Sequence, residues 1–346
     1  MNILKISAYN LFIFIFLIIL MESIFGYWFK KENFGIYMRK ERKINWKTTS
    51  SFYGKNYEFF YKRNFWGFRG DEFDPKDVKI IFEGGSTGNQ RFTPENLTIV
   101  ELLNKNFNKS DYDIKIYNSS TDGKSLNGYI NDFNFWFSKI PNLNPRYVIF
   151  YLGINDRFNN FKSKYYLDNK VSEKKIDQIK DYIKNNSFIV DKYKIFKNRY
   201  FPKNTFAYDL SNDKLYENFE YVDFQDALKL HTNIDETNLH LIKNFRIKLN
   251  ILKLKIDELN IQPVFISQLM HDGLKDERLF LINNELKNFA STNNYFIIPL
   301  DEILSFERND FFDTVHTTPQ GSKKIADKIF PILLDIIKEN NEIRKW

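Results

Sequence analysis

The sequence predicts an α/β fold in which a five-stranded parallel sheet is covered by helices on both faces. Three observations predict it. Short runs of β-branched and aromatic residues recur along the chain: Ile80-Ile81-Phe82, Ile114–Asn118, Tyr147–Leu152, Val264–Ile266 and Tyr295–Leu300. Segments with apolar residues at helical spacing stand between them. Three of the 13 glycines in 346 residues, Gly84, Gly85 and Gly88, crowd around Ser86 directly after the first of these strands. That crowding asks for tight backbone geometry at the carboxyl edge of the sheet, where open α/β sheets bind their ligands.

Composition narrows the classes. A content of 43% hydrophobic and 18% aromatic residues supports a sizeable core. The net charge of +7 would admit nucleic acid or an anionic surface, but Lys and Arg are spread along the whole length, so no nucleic-acid partner is expected. With no cysteine there is no disulfide and no thiolate nucleophile. His231, His240, His271 and His316 show no metal-ligand spacing, so neither metal nor cofactor is expected.

The amino terminus reads as a membrane anchor over residues 1–29. Leu11–Met21 is an unbroken apolar run, and residues 6–29 are long enough to span a bilayer. Bulky residues between Met21 and Trp28 suit an uncleaved anchor better than a signal cleavage site. Lys30, Lys31, Arg39, Lys40, Arg42 and Lys43 outnumber Lys5 across the run, and this basic flank would hold the body in the cytoplasm. It argues against the extracytoplasmic location that the chemistry below favours.

Residues 30–77 read as a stalk and approach segment packing on the domain edge, with Arg69 structural. The main domain covers 78–346. After the first strand, Leu97, Val100, Leu103 and Phe107 mark a helix over 93–107; after the second, Ile130, Phe133, Phe137 and Ile140 mark another. The third strand ends in Gly153-Ile154-Asn155-Asp156. A long helix spans 241–259. The last helix starts at Pro319, with Thr318 as its cap and Ile325, Ile329, Leu333 and Ile336 facing the core. Between them, residues 157–240 lack clear periodicity and read as an insertion beside Asn155, where a lid or substrate-binding subdomain would emerge.

A serine hydroxyl is a poor nucleophile until a base takes its proton and a third group orients that base. Asp313-Thr314-Val315-His316 supplies both partners for Ser86. Acyl transfer also needs donors for an oxyanion, and three strand ends offer them: the backbone N–H of Ser86, that of Gly123, and the side-chain amide of Asn155. Asp156 braces its loop.

With these residues in view the chain resembles the SGNH hydrolases, or GDSL-type esterases. Gly84-Gly85-Ser86-Thr87 is similar to their first block, with Gly85 where Asp usually stands and Thr87 in place of Leu. Gly123 after Asn118–Asp122, Gly153-Ile154-Asn155-Asp156, and Asp313-Thr314-Val315-His316 resemble the other three, in the family's order. The resemblance implies a three-layer α/β/α sandwich of flavodoxin-like topology and hydrolysis or transfer of ester-linked acyl groups. Its anchored members are similar to proteins that edit acetyl groups on exported polysaccharides. The expected substrate is therefore an O-acyl carbohydrate, with Tyr165, Tyr166, Tyr182, Tyr193, Tyr200 and Gln268 offering ring faces and hydrogen bonds to sugar.

Rival readings are an O-acyltransferase with the same triad, a catalytically silent glycan-binding module, and a phosphate-binding turn, which lacks the Gly-Lys-Ser/Thr that would follow. Gly84-x-Ser86-x-Gly88 also fits the nucleophile elbow of α/β-hydrolases, but that fold sets several strands before its serine.

Overall fold

The computed structural model describes residues 3–26, 28–29, 42–48, 57–110, 112, 114–158, 175–200 and 220–339. Helix α1 (Ile3–Phe25) holds the apolar run, and its Lys5–Phe25 stretch of 21 residues is long and apolar enough to cross a membrane. Strands β1 (Arg42–Thr48) and β2 (Tyr57–Arg63) pair antiparallel. The body follows as β3 (Ile80–Gly84), α2 (Ser86–Asn89), α3 (Ile99–Lys109), β4 (Ile116–Asn118), α4 (Leu126–Phe135) and β5 (Tyr147–Tyr151). Next come α5 (Lys175–Asn186), α6 (Phe188–Tyr200), α7 (Phe224–Leu230), α8 (Glu236–Glu258) and β6 (Gln262–Ile266). The chain closes with α9 (Glu277–Thr292), β7 (Phe296–Ile298), α10 (Leu300–Ile303) and α11 (Pro319–Glu339).

The five-stranded sheet is parallel throughout, in the order β4-β3-β5-β6-β7. Alternation along each strand feeds two cores. Ile80, Phe82, Ile149 and Tyr151 pack with α3 and α11, whereas Ile81, Val148 and Phe150 pack with α4 and α8. Each large side chain buried this way contributes roughly 1.5–3 kcal/mol. The three-layer expectation is met. The strand order reverses between β3 and β5, neighbours in which Gly84 stands opposite Tyr151, so a crevice opens above their carboxyl ends.

Several boundaries differ from the sequence reading, each for a local reason. The helix expected over 93–107 starts at Ile99, because Thr98 accepts from the Glu101 N–H at 3.3 Å and caps it there. The helix expected over 241–259 starts at Glu236, capped by Asp235, which accepts from the Asn238 N–H at 2.7 Å. Residues 220–240, assigned to the insertion, thus join the body, with Val222 and Ala227 buried in its core. The β1–β2 pair was hidden in the sequence by its charges, yet Trp46, Phe59 and Tyr61 form a small core of their own. Arg69 is structural as expected: it donates to the carbonyls of Asn89, Gln90 and Thr93 and to Glu95, pinning the chain after α2.

Beneath the crevice lies a buried ionic cluster. Lys124 Nζ donates to Glu83 Oε1 at 2.6 Å and pairs with Asp132 of α4, and all three side chains are sealed from solvent. Its ammonium also sits 5.5 Å from the Tyr129 ring and 5.6 Å from Trp136. Burial pushes Glu83 well above the usual carboxylate range; Lys124 opposes this and Asp132 adds to it. One lysine facing two carboxylates is neutral when one carboxyl keeps its proton. Lys124→Met strands two buried acids, and we expect it to cost about 3–5 kcal/mol, read as a lowered urea midpoint of the detergent-solubilised full chain. Glu83→Gln mimics the protonated acid and should cost about 1 kcal/mol. The opposite ranking would show that Glu83 carries the charge.

Candidate active site

Sequence and topology deliver the candidate residues to one edge. Ser86 opens α2 directly after β3, Gly123 follows β4, and Asn155 follows β5. The turn after β3 is tight for a measurable reason. A Cβ on Gly88 would stand 2.6 Å from Ser120 Oγ, and one on Gly85 would stand 2.9 Å from Asn155 Nδ2 and 3.2 Å from the Lys124 carbonyl. The departure Gly85 for Asp noted in the sequence thus has a physical cause: as the loops stand, no side chain fits at 85. Gly123 and Gly153 hold φ of 71° and 131°, conformations that favour glycine.

The short α2 is clamped from all sides. Asn118 Nδ2 donates to the Gly88 carbonyl at 3.0 Å, and Arg63, which also donates to the Ser120 carbonyl at 2.8 Å, reaches Asn89 Oδ1 at 3.3 Å. Gln90, in the left-handed region with φ 45°, closes α2. Its side chain accepts from the Ile99 N–H at 2.6 Å and donates to Thr317 Oγ1 at 3.1 Å and Ser322 Oγ at 2.5 Å. Gln90 therefore ties the serine turn to the loop that carries His316. Among the described residues Ser86 Oγ has no hydrogen-bond partner, and its side chain is partly exposed at the crevice.

The Asp313–His316 pair is formed. His316 Nδ1 lies 2.7 Å from Asp313 Oδ2, while Asp313 Oδ1 accepts from the Val315 and His316 N–H groups at 2.9 and 2.8 Å. The loop is held shut by Phe312 N–H donating to the His316 carbonyl at 2.7 Å, and by Thr318 N–H donating to the Asp310 carbonyl at 2.8 Å. Burial lowers the pKa of His316, but its bond and attraction to Asp313, helped by the charge of Asp122, raise it above the ordinary histidine value. Burial raises Asp313, and the same pairing together with the two amides holds it below the carboxylate range.

Asn155 Nδ2 donates to the Lys124 carbonyl at 2.8 Å, which joins the loop after β5 to the residue following Gly123. Asp156 braces that region, accepting from the Leu126 N–H at 2.9 Å to cap α4; burial pushes it up to about 6. Gln268 does not fit the sugar-binding role expected of it. It is 2% exposed, accepts from the Ile154 N–H at 2.8 Å and donates to Thr87 Oγ1 at 2.9 Å, so it is spent inside the protein holding α2 against the β5 loop. Tyr165 and Tyr166 lie outside the described residues. Tyr182, Tyr193 and Tyr200 are exposed on α5 and α6, and Tyr182 stacks edge-on at 5.7 Å against Trp28, beyond the end of α1.

Asn118, Gln90, Arg63 and Asp122 went unremarked in the sequence as parts of the site. Asp122 accepts from Asn89 Nδ2 at 2.6 Å and pairs with Arg91 at 3.1 Å. Nearness in the chain to Ser86 or Gly123 was the only signal for Asn118, Gln90 and Asp122, and Arg63, whose contacts with Asn89 and Ser120 span 26 and 57 residues, carried none. Among the described residues no group of three or more His, Cys, Asp or Glu is placed to hold a metal ion.

The model of the GDSL-like lipase/acylhydrolase family matches residues 60–329. No curated protein matches the chain. Among solved structures the chain is similar to the esterase EstA from Pseudoalteromonas sp., at 12% identity and TM-score 0.44, covering 76% of this chain and 100% of that one. It is also similar to a lipolytic G-D-S-L family member from Veillonella parvula (14%, TM-score 0.41, 74% and 98% covered) and to the lipase/acylhydrolase from Enterococcus faecalis (11%, TM-score 0.40, 74% and 95% covered). These likenesses concern the fold, whereas the family match takes in the β3 turn, the β5 loop and the His316 loop together. The chain belongs to the GDSL-like lipase/acylhydrolase family and is an ester-bond hydrolase.

Proposed function

We propose that Ser86 is the nucleophile of this hydrolase, that His316 is its base and Asp313 the group that orients the base. The Asp313–His316 bond, on a loop tied through Gln90 to the serine turn, carries the reading. In the first step His316 takes the Ser86 proton as Oγ attacks the ester carbonyl. The alkoxide oxygen of the tetrahedral intermediate is met by the N–H groups of Ser86 and Gly123 and by Asn155 Nδ2. His316 then protonates the leaving alcohol, and water repeats the sequence on the acyl-enzyme. Transfer to a glycan hydroxyl instead of water would use the same groups.

The acyl group is short, in our reading an acetyl on a carbohydrate or surface polysaccharide. A long acyl chain needs a contiguous apolar groove, whereas no large hydrophobic side chain of residues 61–134, 136–157 or 260–339 is exposed among those described. Polar groups line the loops about the serine turn instead, Asn155 beside Gly85 and the Arg91–Asp122 pair after α2, and suit sugar hydroxyls.

Ser86→Ala and His316→Ala should each abolish turnover of a short-chain aryl ester and, for Ser86→Ala, fluorophosphonate labelling. Asp313→Asn should keep residual activity. Asn155→Ala should lower kcat by about 10²–10³ with little change in KM. Full labelling of Ser86→Ala would sink the assignment, and an Asn155 effect confined to KM would move that residue to substrate binding.

The base works only when neutral. Since pairing with Asp313 raises the pKa of His316 against the effect of burial, kcat/KM should climb with pH through a midpoint above about 6.5. Asp313→Asn should move that midpoint down; no shift would separate the limb from His316.

Purified protein should release acetate from an O-acetylated polysaccharide in preference to fatty acid from long-chain esters. The reverse preference would overturn the substrate class. We place the body outside the cytoplasmic membrane, where exported glycans are found, and a carboxyl-terminal reporter active only in the cytoplasm would reverse that placement.

A further inference from the structure

Helix α1 does not end free of the fold. Glu22, in its last turn, accepts from Ser187 Oγ at 2.6 Å and from the N–H groups of Phe188 and Ile189 at 3.0 and 3.1 Å, so it caps the amino end of α6 from across the chain. Trp28 Nε1 donates to the same carboxylate at 2.9 Å. Phe25 meets Phe188 at 5.3 Å between ring centroids, and Trp28 meets Tyr182. Loss of α1 would leave α6 with only Ser187 Oγ, which accepts from the Val190 N–H at 3.1 Å, as its cap and these rings bare, which is at odds with a signal sequence that is cut away.

The two helices held there carry apolar stripes that nothing in the described protein covers. Ile176, Ile179 and Ile183 follow one another at spacings of three and four along α5, and all are exposed. Tyr193 and Phe196, three residues apart, are exposed in the same way along α6. Residues 175–200 also carry seven Lys and Arg against three Asp. Apolar stripes flanked by cations, beside the end of an apolar helix with an indole at its exit, are the composition of helices that lie in a membrane interface.

We propose that α5 and α6 form a second membrane contact, lying on the bilayer surface where α1 emerges, with their Ile, Tyr and Phe side chains at the boundary of headgroups and acyl chains. The occupant is the bilayer because α6 is capped by, and packs at, the end of a segment able to cross it. This is independent of the catalytic assignment: the insertion holds the enzyme at a set height above the membrane.

The chain lacks cysteine, so single nitroxide labels are clean reporters. Ile179→Cys, Tyr193→Cys and Phe196→Cys, with Leu254→Cys on α8 as an exposed reference, would be labelled in the full-length protein reconstituted into phosphatidylethanolamine and phosphatidylglycerol vesicles. Collision with oxygen should exceed the reference at the first three sites, while collision with a water-soluble nickel chelate should fall several-fold below it. Chelate access equal to that of Leu254 would put the helices in water and overturn the inference. Loss of access to both probes, or dipolar broadening between copies, would show a protein surface covering them and overturn it equally. Glu22→Ala should raise chelate access at Tyr193; no change would overturn the role of the cap.

Discussion

Burying Lys124 is the constraint on which the catalytic edge depends. Transfer of a lone ammonium into such a site costs several kcal/mol, and the cost is offset only while Glu83 and Asp132 stay in contact with it. Those partners come from different elements, β3 and α4, and Ser119 adds its hydroxyl to Glu83. The ammonium consequently fixes where the chain after β4 can run. Its backbone is as informative as its side chain: the Lys124 carbonyl takes the Asn155 amide, and Gly123 stands one residue before it. Three strand ends are thereby referenced to one buried charge. Replacing such a cluster with apolar residues can leave stability unchanged, so its value lies in fixing the register of these strand ends.

The glycines at the serine turn belong to the same constraint. Once Lys124 and Asn155 are set, the space beside residue 85 is taken by an amide nitrogen and a carbonyl oxygen, and the space beside residue 88 by Ser120. A pattern that reads in sequence as either a nucleophile elbow or a departure from a family block is, in space, the consequence of loops pressed against α2. The elbow reading fails on topology, since Ser86 follows the first strand of the parallel sheet and Asp313 lies three residues from His316 on the last loop.

The parts legible in sequence were those whose signal is local. Ile80–Phe82, Tyr147–Tyr151 and the Pro319 helix start announce themselves through β-branched runs and caps, and the Asp-x-x-His spacing brings His316 onto Asp313 within one turn. What escaped was set by distant partners. Gln268 resembled a sugar-binding amide until Thr87 and Ile154 were seen to use both its ends. Gln90, 227 residues from Thr317 in the chain, carried no signal of its link to the His316 loop. Charged β1 and β2 concealed a pattern in which Trp46, Phe59 and Tyr61 share one small core.

That hidden pair changes how α1 and the candidate site are related. Helix α6 packs against both α1 and β1. Trp46 of β1 in turn meets the Phe92 ring at 5.4 Å and lies under the Arg91 guanidinium at 5.3 Å. Arg91 pairs with Asp122, whose charge contributes to the raised pKa of His316. A free stalk would let this edge of the sheet sweep a wide volume about the end of α1. Packed elements running from the end of α1 to the His316 loop hold the site at one distance and one tilt from α1 instead. Such an arrangement favours an ester presented at a defined height over one arriving from any direction, because orientation fixed beforehand is entropy not lost at each encounter.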